Sequence, residues 1–68
     1  MFPNLKAEMA RAGINMIILA ERINMPYSTL VQKMSGRSEF TVGEAFAIRK
    51  ALGVDVPIEV LFEQAVTV

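Results

Sequence analysis

The stretch from Leu19 to Gly36, LAERINMPYSTLVQKMSG, most constrains what this chain can become. Leu19, Ala20 and Ile23 fall at i, i+1 and i+4, one face of a helix, and Leu30 and Met34 repeat the i, i+4 spacing on a second. Between them lies Asn24-Met25-Pro26. After Gly, Asn best tolerates the left-handed conformation that ends a helix. Met25 is apolar enough to be buried, and Pro26 can open a new helix but not continue the old one. So short a connection makes two helices cross steeply over one small core, with the second presented outward.

The flanking segments read as support for that pair. Asn4 is a candidate N-cap for a first helix that places Leu5, Met9 and Ala12 on one face and stops at Gly13, with Ile14 packing back. Asn15 is the candidate N-cap of the second helix. Phe40 is placed as a plug between helices, and Thr41-Val42-Gly43-Glu44 forms a capping box. It opens a helix that turns Ala45, Ile48 and Leu52 inward, carries Val42 and Phe46 at its margin and ends at Gly53. Arg49 and Lys50 suit its C-terminal dipole. Pro57 then sits in the first turn of a fifth helix with Ile58, Leu61, Phe62 and Ala65 on a stripe and Val60 off it. That stripe either closes the core or forms a dimer seam. The tail Ala65-Val66-Thr67-Val68 extends the helix, pairs as a strand across a dimer, or frays. The expected fold is all-α, a compact bundle of five short helices over residues 4–12, 16–23, 26–35, 41–52 and 57–65, forming one domain over 1–68.

Sixty-eight residues lie near the lower limit for a core that stands without metals or disulfides, so no second domain is expected. With no Cys and no His, disulfides, zinc fingers, Cys nucleophiles and the Ser-His-Asp arrangement are excluded. The carboxylates are scattered singly, with no base, metal-ligand cluster or phosphate loop beside them. The expectation is therefore no enzyme, no catalytic residue, no cofactor and no metal. Hydrophobic residues make up 53% of the chain, yet the longest apolar run, Met16 to Ala20, is far too short to span a bilayer and lacks the flanks of a signal peptide. A cytoplasmic protein without a membrane partner is expected.

The formal charge is zero, which by itself argues mildly against nucleic acid. Its distribution argues the other way. Residues 1–50 hold all seven bases and four acids, a balance of +3, and residues 51–68 hold three acids, a balance of −3. From Arg22 to Arg37 there are three positive charges and no negative one. With Leu30 and Met34 inward, the third helix leaves Tyr27, Ser28, Thr29, Val31, Gln32 and Lys33 for its outer and flanking surfaces. A purely structural helix fills such a surface with Glu, Lys and Ala, which are better helix formers. The side chains present suit groove contact instead. Gln pairs both edges of an adenine, Ser and Thr hydroxyls read donors or acceptors, and Val or a Thr methyl packs on a thymine methyl.

Aligned on Gly13-Ile14, Leu19-Ala20-Glu21-Arg22-Ile23, Ser28-Thr29-Leu30 and Gly36, and continuing through Lys50-Ala51-Leu52-Gly53-Val54 to Leu61-Phe62, the sequence resembles the lambda-repressor-like (Cro and phage-repressor type) helix-turn-helix family. The run Thr29 to Thr41 looks like small phage-encoded members, and the likeness covers residues 4–63. Two positions depart from the pattern. Met16 stands where many members carry a Gln that helps fix a phosphate, and Asn24 replaces the usual turn Gly. The resemblance implies a lambda-repressor-like DNA-binding domain in which Tyr27, Ser28 and Gln32 touch bases. Thr29 joins them or packs, and Val31 has the same two options. It further implies phosphate contacts from Asn15, Met16, Lys33, Ser35, Arg37 and Ser38, in the cytoplasm of a bacterial host cell. Lys6, on the solvent side of helix one, either meets a phosphate or is only solvated.

The leading expectation is thus a sequence-specific regulator that binds the major groove of double-stranded DNA as a homodimer on a two-fold operator, with no small-molecule effector. Helix two bears more apolar residues than one buried face requires, since Met16, Ile17 and Ile18 add to Leu19, Ala20 and Ile23. Either the core wraps farther round it or another chain covers part of it. Ile17, Ile18, Ile58, Val60 and Phe62 are the candidate dimer-interface residues. The competing expectation is a protein-interaction module, antitoxin-like or an adaptor, using the apolar surface of helices two and five.

Overall fold

Each helix sends one aliphatic side chain to a common centre. In the computed structural model, which describes residues 1–64, the elements run α1 (Pro3–Ala12), α2 (Met16–Arg22), α3 (Tyr27–Met34), α4 (Val42–Leu52) and α5 (Ile58–Leu61), with no strand among the described residues. Leu5, Leu19, Leu30, Ile48 and Leu61, one from each helix in turn, are fully buried. Phe2, Met9, Ile14, Ala20, Met34 and Leu52 complete the same core. Helices shorter than about 12–15 residues are marginal alone, so this core is what holds them. Burying each large aliphatic side chain contributes about 1.5–3 kcal/mol relative to leaving it exposed. No helix among the described residues is long and apolar enough to cross a membrane.

The α2–α3 corner forms as its residues dictate. Asn24 takes the left-handed conformation with φ 58°, and the Met25 amide donates to the Ala20 carbonyl at 2.9 Å, closing α2. Pro26, at φ −58° and ψ 139°, caps α3, and its carbonyl accepts from the Leu30 amide at 3.1 Å. Gly13 and Gly53 end α1 and α4 with φ 69°. The Thr41–Glu44 capping box is complete in both directions.

Three expectations are corrected. Asn4 is not the N-cap of α1: the helix begins at Pro3 after Phe2, which sits at φ 56°, and the Asn4 amide group donates to the Val60 carbonyl at 2.8 Å, tying α1 to α5. A Pro at the first helical position fixes the start one residue earlier, because its missing N–H would have been unpaired there anyway. Ala12 is exposed, since Gly13 turns the chain so that Ile14 takes the buried place. The fifth helix ends at Leu61, with Phe62 as its C-cap, so the span 57–65 is too long; Ala65 and the expectations for the tail lie outside the described residues. Past that end the Phe62 ring meets Phe2 and Phe40 edge to face, with the three centroids 5.1–6.0 Å apart. This cluster binds the residue before α1 and the residue after α5 to the segment entering α4. Such pairs add about 0.5–1.5 kcal/mol each beyond their burial.

Candidate nucleic-acid interface

Leu30 and Met34 anchor α3 to the core and thereby set what it shows to solvent. At about 100° per residue, Ser28 and Gln32 lie opposite the anchors, with Val31 and Thr29 to either side. Ser28 and Gln32 are exposed, Tyr27 is 52% exposed, Val31 38%, and Thr29 is half-buried. The side chains of Tyr27, Ser28, Thr29 and Gln32 make no hydrogen bond to the rest of the chain among the described residues. Their donors and acceptors are therefore available to a partner.

The exit loop follows directly. Gly36 adopts φ 87°, and the Arg37 amide donates to the Gln32 carbonyl at 2.9 Å, which turns the loop back along the end of α3. The Arg37 side chain is exposed and has no ion-pair partner among the described residues. Ser35 spends its hydroxyl proton on the Gln32 carbonyl at 2.9 Å, and Ser38 is half-buried. Asn15 accepts from the Ile18 amide at 2.8 Å, so its carbonyl oxygen is committed to capping α2 while its amide nitrogen remains open.

Lys33 is placed differently from a surface phosphate ligand. Its ammonium donates to Glu44 Oε1 at 2.7 Å and to the Glu39 carbonyl at 3.1 Å, and only 12% of its side chain is exposed. The bond from Lys33, followed by that from the Thr41 amide, holds the Glu44 carboxyl below its ordinary pKa. Lys33 is thus a strut between α3 and the start of α4. Arg22 likewise reaches away, donating to the Ala51 carbonyl at 3.4 Å. Of the three bases between Arg22 and Arg37, Arg37 alone remains unengaged among the described residues.

A second cation joins this face. Lys6 shares the wall of a groove of ≈ 540 Å³ with Asn15, Met16, Val31 and Ser35, over a floor of Met9, Ile14 and Met34. The groove brings the expected phosphate contacts Asn15, Met16 and Ser35 together with Lys6. Helical spacing put Lys6 on the solvent side of α1; only the packing of α1 against the other helices shows which solvent side.

Comparison with protein-family models, curated proteins and solved structures returns no match to this chain. The site therefore rests on its own geometry. Among the interface candidates, Ile17 is 63%, Ile18 36% and Val60 42% exposed, whereas Ile58 and Phe62 are half-buried, Phe62 in the aromatic cluster. Of the apolar excess of α2, Met16 packs against the core while Ile17 and Ile18 do not. α2 and α5 do not pack on one another, so these residues do not share one helix pair.

Proposed function

We propose that this chain is a sequence-specific double-stranded DNA-binding transcription regulator of the Cro and phage-repressor type, acting as a homodimer on a two-fold operator. The observation that carries the reading is the outer side of α3, where Ser28 and Gln32 stand exposed with unspent hydrogen-bonding groups on a helix anchored from behind, with the exposed Tyr27 at the helix start. α3 enters the major groove; Ser28 and Gln32 read base edges, with Tyr27, Thr29 and Val31 at the margins, and each true base contact is worth about 1–3 kcal/mol of discrimination. Arg37, Lys6 and Asn15 hold phosphates, and Ser35, Ser38 and Met16 border that contact.

The test is a fluorescence-anisotropy titration of a mixed-sequence duplex at several salt concentrations, with the wild type and an Arg37→Glu, Lys6→Glu variant. Binding should weaken as salt rises, and the variant should lose it; each lost phosphate contact lowers the salt slope by about 0.9. Lys33→Glu is unsuitable for this purpose, because it breaks the strut to Glu44. A folded wild type that ignores the duplex even at low salt refutes the reading. In that event the exposed Ile17 and Ile18 favour the second reading, a protein-interaction module, which Ile17→Glu would disable.

A further inference from the structure

Phe2 holds a backbone conformation that bulky residues rarely adopt, and the residue it turns aside is Met1. Its φ of 56° is left-handed, which is strained for a residue with a large side chain. The edge-to-face contacts of its ring with Phe40 and Phe62 hold it there. The bend lays the Met1 side chain across Gly36, in the loop that leaves α3. A Cβ at Gly36 would collide with Met1 Sδ and come within 2.8 Å of Met1 Cε, so the thioether and its methyl rest on bare backbone. That backbone is at φ 87°. Two amides close the loop beneath the contact, Gly36 donating to the Lys33 carbonyl at 3.2 Å and Arg37 to the Gln32 carbonyl at 2.9 Å.

Met1 is also the most accessible methionine of the five. It is 48% exposed, whereas Met16 and Met25 are half-buried and Met9 and Met34 are in the core. It lines an open cavity of ≈ 500 Å³ with Ser38, Thr41 and Gln64 among the other walls, through which a small oxidant reaches the sulfur.

We propose that Met1 is an oxidation site whose thioether latches the exit loop of α3, and that its conversion to the sulfoxide by a peroxide releases the latch. A sulfur lone pair takes one oxygen of hydrogen peroxide: an S–O bond forms, the O–O bond breaks and water leaves. The sulfur is oxidised by two electrons and the peroxide is reduced. A flexible apolar side chain thereby becomes polar, and its packing on Gly36 is lost. A released loop no longer holds Arg37 in one place. On the regulator reading, on which this consequence rests, the sulfoxide form binds duplex DNA less tightly than the thioether form. The opening of the loop does not depend on DNA.

The test treats the full chain with limiting hydrogen peroxide and follows it by peptide mass spectrometry and by amide hydrogen exchange. Met1 should gain one oxygen before Met9, Met16, Met25 or Met34. In the Met1 sulfoxide form the Gly36 and Arg37 amides should exchange about fourfold faster, the change that losing one buried methylene, about 0.8 kcal/mol, converts to. Met1→Leu, released from a cleavable leader, keeps an apolar contact without sulfur. It should exchange like the reduced wild type, before and after peroxide. A Met1 oxidised no sooner than Met16 and Met25 overturns the proposal. So does a Met1 sulfoxide whose Gly36 and Arg37 amides exchange as slowly as before, or a Met1→Leu chain whose loop opens with peroxide just as the wild type's does. Anisotropy on the reduced and oxidised forms separates the two readings. A loop that opens in a chain ignoring duplex DNA in either form leaves the latch and removes the regulator; duplex binding with a loop that stays closed does the reverse.

Discussion

The Lys33–Glu44 strut should contribute to stability in a way that depends on pH. The ion pair is 2.7 Å long, with side chains 12% and 28% exposed, so it is shielded better than a free surface pair and less well than a core one. Exposed pairs are worth about 0.2–1 kcal/mol, and hydrogen bonds to charged groups about 1.5–3 kcal/mol. Solvent at Glu44 places the coupling at the top of the exposed-pair range, about 1 kcal/mol. Lys33→Met keeps the apolar stem and removes the ammonium, which also frees the Glu39 carbonyl. Its thermal midpoint should fall by about 4–8 °C for each kcal/mol lost in a domain of this size. The Glu44 carboxyl is held below its reference value of 4.5, so the stability it adds is present above that pH and is lost as pH falls through the folded-state pKa. Urea titrations of wild type, Lys33→Met, Glu44→Gln and the double variant, at pH 7 and at steps down to pH 3, measure both effects. The double-mutant cycle should give the full coupling at pH 7 and a smaller one at each step of acid titration through the folded-state pKa of Glu44. A coupling below about 0.3 kcal/mol at pH 7, or an acid limb in Glu44→Gln as steep as in the wild type, refutes the reasoning.

Phe2→Ala should lower the urea midpoint severely, by a loss of about 3–5 kcal/mol, because the ring is 5% exposed and packs edge to face on Phe40 and Phe62. An N-terminal residue that merely dangled would cost nothing measurable. At the α2–α3 corner, Asn24→Ala should destabilise by about 1 kcal/mol while Asn24→Gly should be neutral or better, since only the first forces a Cβ-bearing residue with no local side-chain bond into φ 58°. Equal thermal midpoints for the two variants would contradict that account.

What the sequence made legible follows from the range over which its signals act. The five buried aliphatic residues and the closures at Gly13, Asn24 and Gly53 are local, written in 3.6-residue spacing and in the few residue types that accept positive φ. The Thr41–Glu44 capping box is equally local. Asn4 misled because its side chain suits a helix start, whereas a carbonyl 56 residues away claimed it. Phe2 lay before any periodic run, and only the Pro3 rule for first helical positions marked the true start. Lys33 read as a phosphate contact because the partner that engages it lies 11 residues on, in the next helix. The exposed side of α3 was legible because the spacing of Leu30 and Met34 leaves Ser28 and Gln32 facing away from the core.

The charges bear on how many copies the regulator reading needs. With Lys33 spent on Glu44 and Arg22 turned to the Ala51 carbonyl, the α3 face keeps Arg37 and Lys6 as its cations in a chain of zero net charge. Few phosphate contacts per protomer mean weak non-specific attraction and a shallow salt dependence, about 0.9 in slope per contact. On the regulator reading, one copy alone then falls short of a useful affinity, and the second copy becomes a requirement rather than a refinement. Two weak half-sites held by two joined copies give avidity, since each half-site raises the effective concentration of the other. On that reading a two-half-site duplex should bind far more tightly than a duplex with a single half-site, compared by anisotropy at one salt concentration. Equal affinities for the two duplexes would mean that the copies bind DNA independently, and would refute the homodimer part of the reading.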